Sequence, residues 1–315
     1  MIRFLLILFI PFQVFSQTSL DKAIKLFEEK KYSDAKIILI KIDEKDNKYD
    51  VAQYFLGRIA MIEQKFEDAA DYYENAVEAN GKVALYHSGL GDAYGGIAQS
   101  ANPLRQGLLA SKMKSEWERA IELDPKLIEP RQSLIQFYMR APGFMGGSID
   151  KAKEMAKQLL GLKPAVGHMQ MGNIFIYEKK YADAEKEFIE MYKIDSTYRF
   201  AFGSFYISQQ EWDKAFDLFE KEVKKNPNDY LSLYQIGKIS ALSGKKPERG
   251  EECLKKYLTY QPKQNEPSHA GAKMRLAQIQ EKRGKKAEAK KLYEEALKQD
   301  ASLREAKEGL ERVSK

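Results

Sequence analysis

Cysteine and histidine are scarce in this chain of 315 residues, which contains one cysteine and three histidines. A single cysteine, Cys253, cannot form an intramolecular disulfide, so packing has to stabilise the fold. His87, His168 and His269 lack the close spacing with one another or with Cys253 that metal sites use. We therefore expect no metal and no cofactor, and we interpret Cys253 as a small buried thiol.

A concentration of one charge is also missing. The 52 basic and 46 acidic residues are interspersed and leave a net charge of +6, so no basic face or tail indicates a nucleic-acid partner. Carboxylates are frequent, but they follow the spacing of solvated helix surfaces. Neither a serine elbow nor a pairing of nucleophile and base occurs, so we expect no catalytic residues and no enzyme activity.

A phosphate-binding loop is absent as well, although the stretch RAPGFMGGSIDKAK at 140–153 is rich in glycine. A Walker loop ends in Gly-Lys-Ser/Thr after a strand. Here Ser148 follows Gly147 directly, and amphipathic segments lie on both sides. The stretch is predicted to be a turn between two helices, with Ser148 as the cap of the second helix.

The longest apolar run near the start, from Phe4 to Ile10, is too short to cross a membrane. It follows the basic Arg3 and precedes Val14 and Ser16, which suit the −3 and −1 positions of a signal-peptidase site. We interpret residues 1–16 as a signal peptide. The chain is then secreted across an inner membrane, into a periplasm, and is not transmembrane. An uncleaved amphipathic anchor is the alternative.

The rest of the chain shows helical periodicity and a repeat of about 34 residues, with almost no strand pattern. The segments 54–81, 168–195 and 272–300 align. Each carries a small residue in a first helix, an alanine in a second helix, and an aromatic residue four positions later. In the first of them these are Gly57, Ala69 and Tyr73. The small residues let paired helices approach closely, and the large ones fill the space toward the next pair.

This pattern resembles the tetratricopeptide repeat. The resemblance implies an all-α, right-handed superhelical solenoid of about eight helix pairs over residues 17–301, with a capping helix at 302–315. Two adjacent repeats depart from the pattern and carry insertions near 95–106 and 140–148. The fold is therefore predicted to be a helical array with two irregular neighbouring repeats.

The resemblance also implies where a partner binds, because first helices of such arrays line a concave groove. The residues expected to face this groove are Tyr54, Arg58, Asp92, Gln136, Arg140, Asn173, Tyr177, Phe200, Tyr234, Lys238 and Arg275. The alternative is that they are ordinary solvated helix residues.

The predicted function is a non-catalytic scaffold or adaptor of the cell envelope that binds a peptide or a partner protein. Two further hypotheses remain open. One is a protein that binds a small molecule or glycan beneath the two insertions. The other is a hydrolase with an unrecognised site in 92–115.

Overall fold

The computed structural model describes residues 19–315, and within that range it is helical with no strand. The predicted signal peptide lies outside the described residues. The chain divides into two compact units, the first ending at Ala184 and the second beginning at Glu185. The all-α prediction is confirmed.

Successive helices form pairs joined by short turns. The helices of the first unit are α1 (Ser19–Glu28), α2 (Tyr32–Leu39), α3 (Tyr49–Ile62), α4 (Phe66–Ala79), α5 (Ala84–Ser100), α6 (Pro103–Leu123), α7 (Glu129–Arg140), α8 (Ile149–Leu162) and α9 (Pro164–Tyr177). There follow α10 (Tyr181–Ile194), α11 (Arg199–Ser208), α12 (Trp212–Lys225), α13 (Tyr230–Ser243), α14 (Pro247–Tyr257), α15 (His269–Lys282), α16 (Lys286–Gln299) and α17 (Arg304–Ser314). From residue 19 onward this order gives eight pairs, each with a first and a second helix, and then a single helix.

The contact between small and large residues within a pair is present as predicted. A methyl group added at Gly57 would lie 2.7 Å from the nearest ring atom of Tyr73, and one added at Gly91 would lie 2.6 Å from Trp117 Nε1. Distances this short leave no room for a side chain at either glycine. The glycines therefore set how closely the two helices of a pair approach.

Several of the turns inside the pairs share one geometry. Lys30, Gln64 and Lys179 each adopt a left-handed backbone, with φ between 58° and 61°, just after the first helix ends. The next amide then reaches back, as Lys65 N does to Ala60 O at 2.9 Å. This is the Schellman ending, which satisfies the last carbonyl groups of a helix.

The first insertion lengthens both helices of the third pair. α5 has 17 residues and α6 has 21, whereas α3 and α4 have 14 each. The turn between the long helices is fastened by Gln106, whose Nε2 donates to Ala98 O at 3.1 Å and to Ala101 O at 3.0 Å. The insertion is thus a helical extension whose turn is held by side-chain hydrogen bonds.

The second insertion is a turn, as predicted. A 3₁₀ turn, Gly143–Met145, leads to Gly146 at φ +98°, and Ser148 Oγ caps α8 by accepting from Lys151 N. An added methyl at Gly147 would lie 1.8 Å from Ala141 O. The amide of Gly147 donates to Pro142 O at 3.1 Å, so it is not available for an anion.

A tyrosine–glutamate hydrogen bond recurs between consecutive pairs within each unit. In the first unit Tyr94 donates to Glu74 at 2.5 Å, and Tyr138 donates to Glu118 at 3.1 Å. Each bond joins a first helix to the second helix of the preceding pair, over 20 residues. Burial, followed by the bonded carboxylate, raises the pKa of both tyrosines, so the hydroxyls remain protonated donors.

The single helix α17 covers the last pair of the second unit. It contacts α15 and α16, and its Gly309 lies directly over Tyr293, where an added methyl would be 2.2 Å from the ring. Arg312 forms an ion pair of 2.7 Å with Glu281 of α15. The apolar face of the last pair is thereby removed from water.

Candidate functional site

A pocket of about 1020 Å³ lies in the first unit, where both insertions contribute to its wall. Its lining comes from the first helices α5, α7 and α9, from α6 and the 141–145 turn, and from single residues of α3 and α4. The lining residues are Met61, Phe66, Asp92, Gly95, Gly96, Ala98, Gln99, Gln106, Ala110, Met113, Trp117, Gln132, Ser133, Gln136, Phe137, Arg140, Ala141, Pro142, Met145 and Gln170.

Asp92 is the acidic residue of this lining. Its Oδ1 accepts two hydrogen bonds, from Trp117 Nε1 at 2.9 Å and from Ser133 Oγ at 2.9 Å. These bonds fix the carboxylate between α5, α6 and α7. Oδ2 accepts no hydrogen bond from any residue that the structure describes, and no Lys, Arg or His there forms an ion pair with Asp92. One oxygen of the carboxylate is therefore left for a ligand.

The electrostatic setting of Asp92 is unfavourable to its charge. Burial raises the pKa of its carboxyl group, the hydrogen bonds from Ser133 and Trp117 act in the opposite direction, and the nearby charge of Glu129 adds to the rise. The net effect is a raised pKa, because no cation offsets the loss of water. A cationic group entering the pocket would supply the missing compensation.

Gln170 presents a second polar atom without a partner. Its side chain is 5% exposed, and its Oε1 is buried without a hydrogen bond in the structure. A buried amide oxygen without a donor costs about 1–3 kcal/mol relative to a satisfied one. This oxygen has almost no accessible surface, so Asp92 Oδ2 is the acceptor that a ligand in the pocket would meet.

Part of the remaining wall is apolar. Trp117 and Phe137 lie 6.3 Å apart in an edge-on arrangement, and Met113 and Met145 line the same pocket. Gly96 makes room for Phe66, since an added methyl would lie 2.3 Å from that ring. The pocket combines aromatic and thioether surface with a few fixed polar groups, as ligand sites usually do.

The structure brings three predicted site residues together here, namely Asp92, Gln136 and Arg140. Tyr54 and Arg58 lie elsewhere in the first unit, in an aromatic cluster. The guanidinium of Arg58 lies 4.4 Å over the ring of Phe27, and Tyr54 packs 5.2 Å from Tyr86. These contacts already use much of the surface that a partner was expected to contact.

Asn173 and Tyr177 follow along α9 and do not line the pocket. Asn173 is half-buried, whereas Tyr177 is 55% exposed at the end of the helix. Of these two, only Tyr177 presents a large accessible side chain.

In the second unit, two predicted groove residues take part in packing. Tyr234 is 9% exposed and packs 5.2 Å from Tyr257 in a buried cluster. Phe200 stacks on Phe219 at 5.9 Å, with the guanidinium of Arg199 4.4 Å over its ring. Removing Tyr234 would therefore disturb the core, which makes it a poor test of binding.

Arg275 is occupied by the final helix. Its Nη1 donates to Glu305 of α17 at 2.6 Å and to Gln278 at 2.9 Å. Half-buried Lys238 lies near this pair, and burial, followed by the charge of Arg275, lowers the pKa of its amine. The positive charge of Arg275, which was predicted to face the groove, is thus paired inside the molecule.

Several pocket residues were not predicted as site residues. Trp117, Met113 and Gln106 lie on a second helix, whereas the repeat pattern places first helices along the groove. Ser133 and Gln170 lie on first helices, three residues before the selected positions Gln136 and Asn173. The sequence signal for this pocket was the pair of insertions, because the two insertions fall in neighbouring repeats.

His87 and Cys253 are both buried. His87 is 7% exposed and lies 2.6 Å from Glu116 through Nδ1 and 3.1 Å from Gly81 O through Nε2. Cys253 is buried, which raises the pKa of its thiol to about 12. Among the described residues there is no group of three or more His, Cys, Asp or Glu side chains that could hold a metal. In the same part of the chain, no helix has the length and apolar character that a membrane span requires.

Comparison with known families identifies tetratricopeptide repeats in both units. One tetratricopeptide repeat model matches residues 51–82, and another matches residues 239–303. The predicted resemblance is confirmed for these segments. Repeats of this kind commonly serve as scaffolds for protein–protein interaction.

Similar proteins are distant. The peroxisomal targeting signal receptor of Saccharomyces cerevisiae is 25% identical over 253 residues, which cover 72% of this chain but only 40% of the receptor. A structure of a monomeric IFIT1 mutant with m7Gppp-AAAA is 16% identical, with a TM-score of 0.50. The match covers 76% of this chain and 53% of that chain. A tetratricopeptide repeat protein from Parabacteroides merdae covers 94% of this chain and 98% of its own, with 13% identity and a TM-score of 0.48. The similarity to the IFIT1 structure concerns the fold and no other property.

Proposed function

We propose that this protein is a non-catalytic scaffold or adaptor that binds a peptide or partner protein in the pocket of its first unit. The observation that carries the proposal is the carboxylate of Asp92, which Trp117 and Ser133 hold through Oδ1 and whose Oδ2 is left for a ligand in a pocket of about 1020 Å³. Loss of water around this charge is unfavourable, and a ligand with charged donors would offset it.

An exposed aromatic residue beside the pocket supports a macromolecular ligand. Phe144 is 91% exposed, next to Met145 of the lining. A side chain of this size at such a place is typical of surfaces that bind proteins.

This function can be tested with a photo-crosslinking amino acid that is introduced at one chosen position at a time. At Gln99, which is exposed and lines the pocket, it should capture a partner protein in the source organism. At Lys157, which is exposed on α8 outside the lining, it should not. The same products from both positions, or none from Gln99, would contradict binding in the pocket.

Export is part of the proposal. The short apolar run at 4–10 and the Val14 and Ser16 positions support a mature protein that begins at Gln17 in a periplasm. Intact mass from the envelope fraction tests it, and a mass that retains residues 1–16 would favour an anchored protein.

A small molecule or glycan is the second candidate ligand. The pocket volume of about 1020 Å³ and the aromatic wall of Trp117 and Phe137 favour it. Native mass spectrometry of the protein purified from its source would show such a molecule as a defined added mass that denaturation removes.

A further inference from the structure

We infer that the pocket of the first unit binds an arginine side chain of a partner peptide, with the guanidinium against Asp92. The inference rests on the proposed peptide-binding function and adds the chemistry of the anchor. It follows from three features of the lining: a carboxylate oxygen without a donor, the charge of that carboxylate and the apolar walls.

The fixed carboxylate of Asp92 keeps one acceptor for a ligand. Oδ1 accepts from Trp117 and Ser133, and Oδ2 has no donor in the described structure. A guanidinium group offers five N–H donors and no acceptor, and its planar fork matches a carboxylate. An arginine side chain can therefore supply both the donor and the positive charge that Asp92 lacks.

The charge inside the pocket is also complementary. Asp92 is held in place by Trp117 and Ser133, and Glu129 adds negative potential. Arg140, the basic residue of the lining, is exposed to solvent and forms no ion pair in the described part of the chain. Water screens a charge at the mouth more strongly than one inside, so the interior favours a cation.

The walls suit the rest of an arginine side chain. Its three methylenes can lie along Met113 and Met145, while the guanidinium plane can stack on Trp117 or Phe137. A bare metal ion or a small inorganic cation would leave this apolar surface exposed to water. A side chain that is apolar along its stem and cationic at its end uses both.

The test uses the full mature chain with Trp212→Phe, which leaves Trp117 as the only tryptophan and places the fluorescence signal in the pocket. The probes are acetyl-Leu-Arg-Leu-amide and the same peptide with citrulline, which has the shape of arginine without its charge. We expect saturable binding of the arginine peptide, and binding of the citrulline peptide at least tenfold weaker.

Two variants locate the effect. Asp92→Asn keeps an oxygen for Trp117 and Ser133 but removes the charge, and should weaken the arginine peptide at least tenfold with little change for citrulline. Gln99→Lys leaves the buried hydrogen bonds intact and should also weaken the arginine peptide, because it adds a positive charge at the lining. Asp68→Asn is the matched control, since Asp68 is exposed on α4 outside the lining.

The outcomes separate this inference from the proposed function. Equal binding of the arginine and citrulline peptides, or binding unchanged in both Asp92→Asn and Gln99→Lys, overturns the arginine anchor. Crosslinking from Gln99 that persists in Asp92→Asn would do so while leaving the scaffold function intact. Free arginine amide binding as tightly as the peptide would reassign the pocket to a small cationic ligand, which also overturns the inference.

Discussion

Substituting alanine for glycine should have opposite effects on stability at two helical positions of the first unit. At Gly57 in α3, an added methyl would lie 2.7 Å from the ring of Tyr73. The ring cannot simply move away, because Gly89 approaches it from the next pair, where an added methyl would be 2.6 Å from the ring. At Gly107 in α6, nothing lies within 4 Å of an added methyl.

The magnitudes follow from two effects. Alanine favours a helix over glycine by about 1 kcal/mol at either position. Overpacking a filled interior costs about 1–3 kcal/mol, and we expect the upper end at Gly57 because Tyr73 is only 3% exposed. Gly57→Ala should therefore lose about 2 kcal/mol of unfolding free energy. Gly107→Ala should gain about 1 kcal/mol.

Thermal melting followed by circular dichroism measures both effects. For a unit of this size, about 1 kcal/mol corresponds to a shift of about 2–4 °C. Gly57→Ala should melt earlier and Gly107→Ala later than the parent protein. Equal melting temperatures of the two variants, or a more stable Gly57→Ala, would refute the assignment of Gly57 as a close-contact position.

Three further predictions concern the thiol, an ion pair and metals. Cys253, with its pKa raised to about 12 by burial, should resist thiol reagents at pH 8 in the folded protein and react in denaturant; rapid labelling of the native state would contradict its burial. Burial acts to raise the pKa of Glu305, but hydrogen bonds from Arg275 and Gln278 together leave that pKa lowered. The stability that this carboxylate contributes is therefore present above its unfolded pKa and is lost as the pH falls through its folded pKa. The melting difference between the parent and Glu305→Gln should thus be present at pH 7 and disappear near pH 3, and a constant difference would refute the pairing. Chelation with EDTA should leave helix content and melting unchanged, and a fall restored by one metal would overturn the expectation of a metal-free fold.

The helix pairs could be predicted because their signals are local. The small residue Gly57 and the large Tyr73 lie 16 positions apart and meet inside one pair. Periodicity and spacing therefore carry the information. The turn at 140–148 was predictable for the same reason, since its glycines and the cap Ser148 act within a few residues.

The pocket could not be predicted in the same way. Asp92 and Ser133 meet across 41 residues, and their contact depends on how α7 packs beside α5. The repeat pattern also selected Tyr234 and Arg275 as accessible. Burial against Tyr257 and pairing with Glu305, 30 residues away, depend on packing that no local spacing records.

The tyrosine–glutamate bonds between consecutive pairs have a consequence for how such a chain assembles. Tyr94 and Tyr138 each reach a partner 20 residues earlier in the chain. The entropy of closing a loop depends on its length, so each new pair joins its predecessor at a similar cost, wherever it lies in the series. Contact order then stays low as pairs are added, and topology does not slow folding of a longer series. A duplicated pair that keeps its tyrosine and glutamate would already carry the means to attach to its neighbour, so an array of this kind can lengthen by copying.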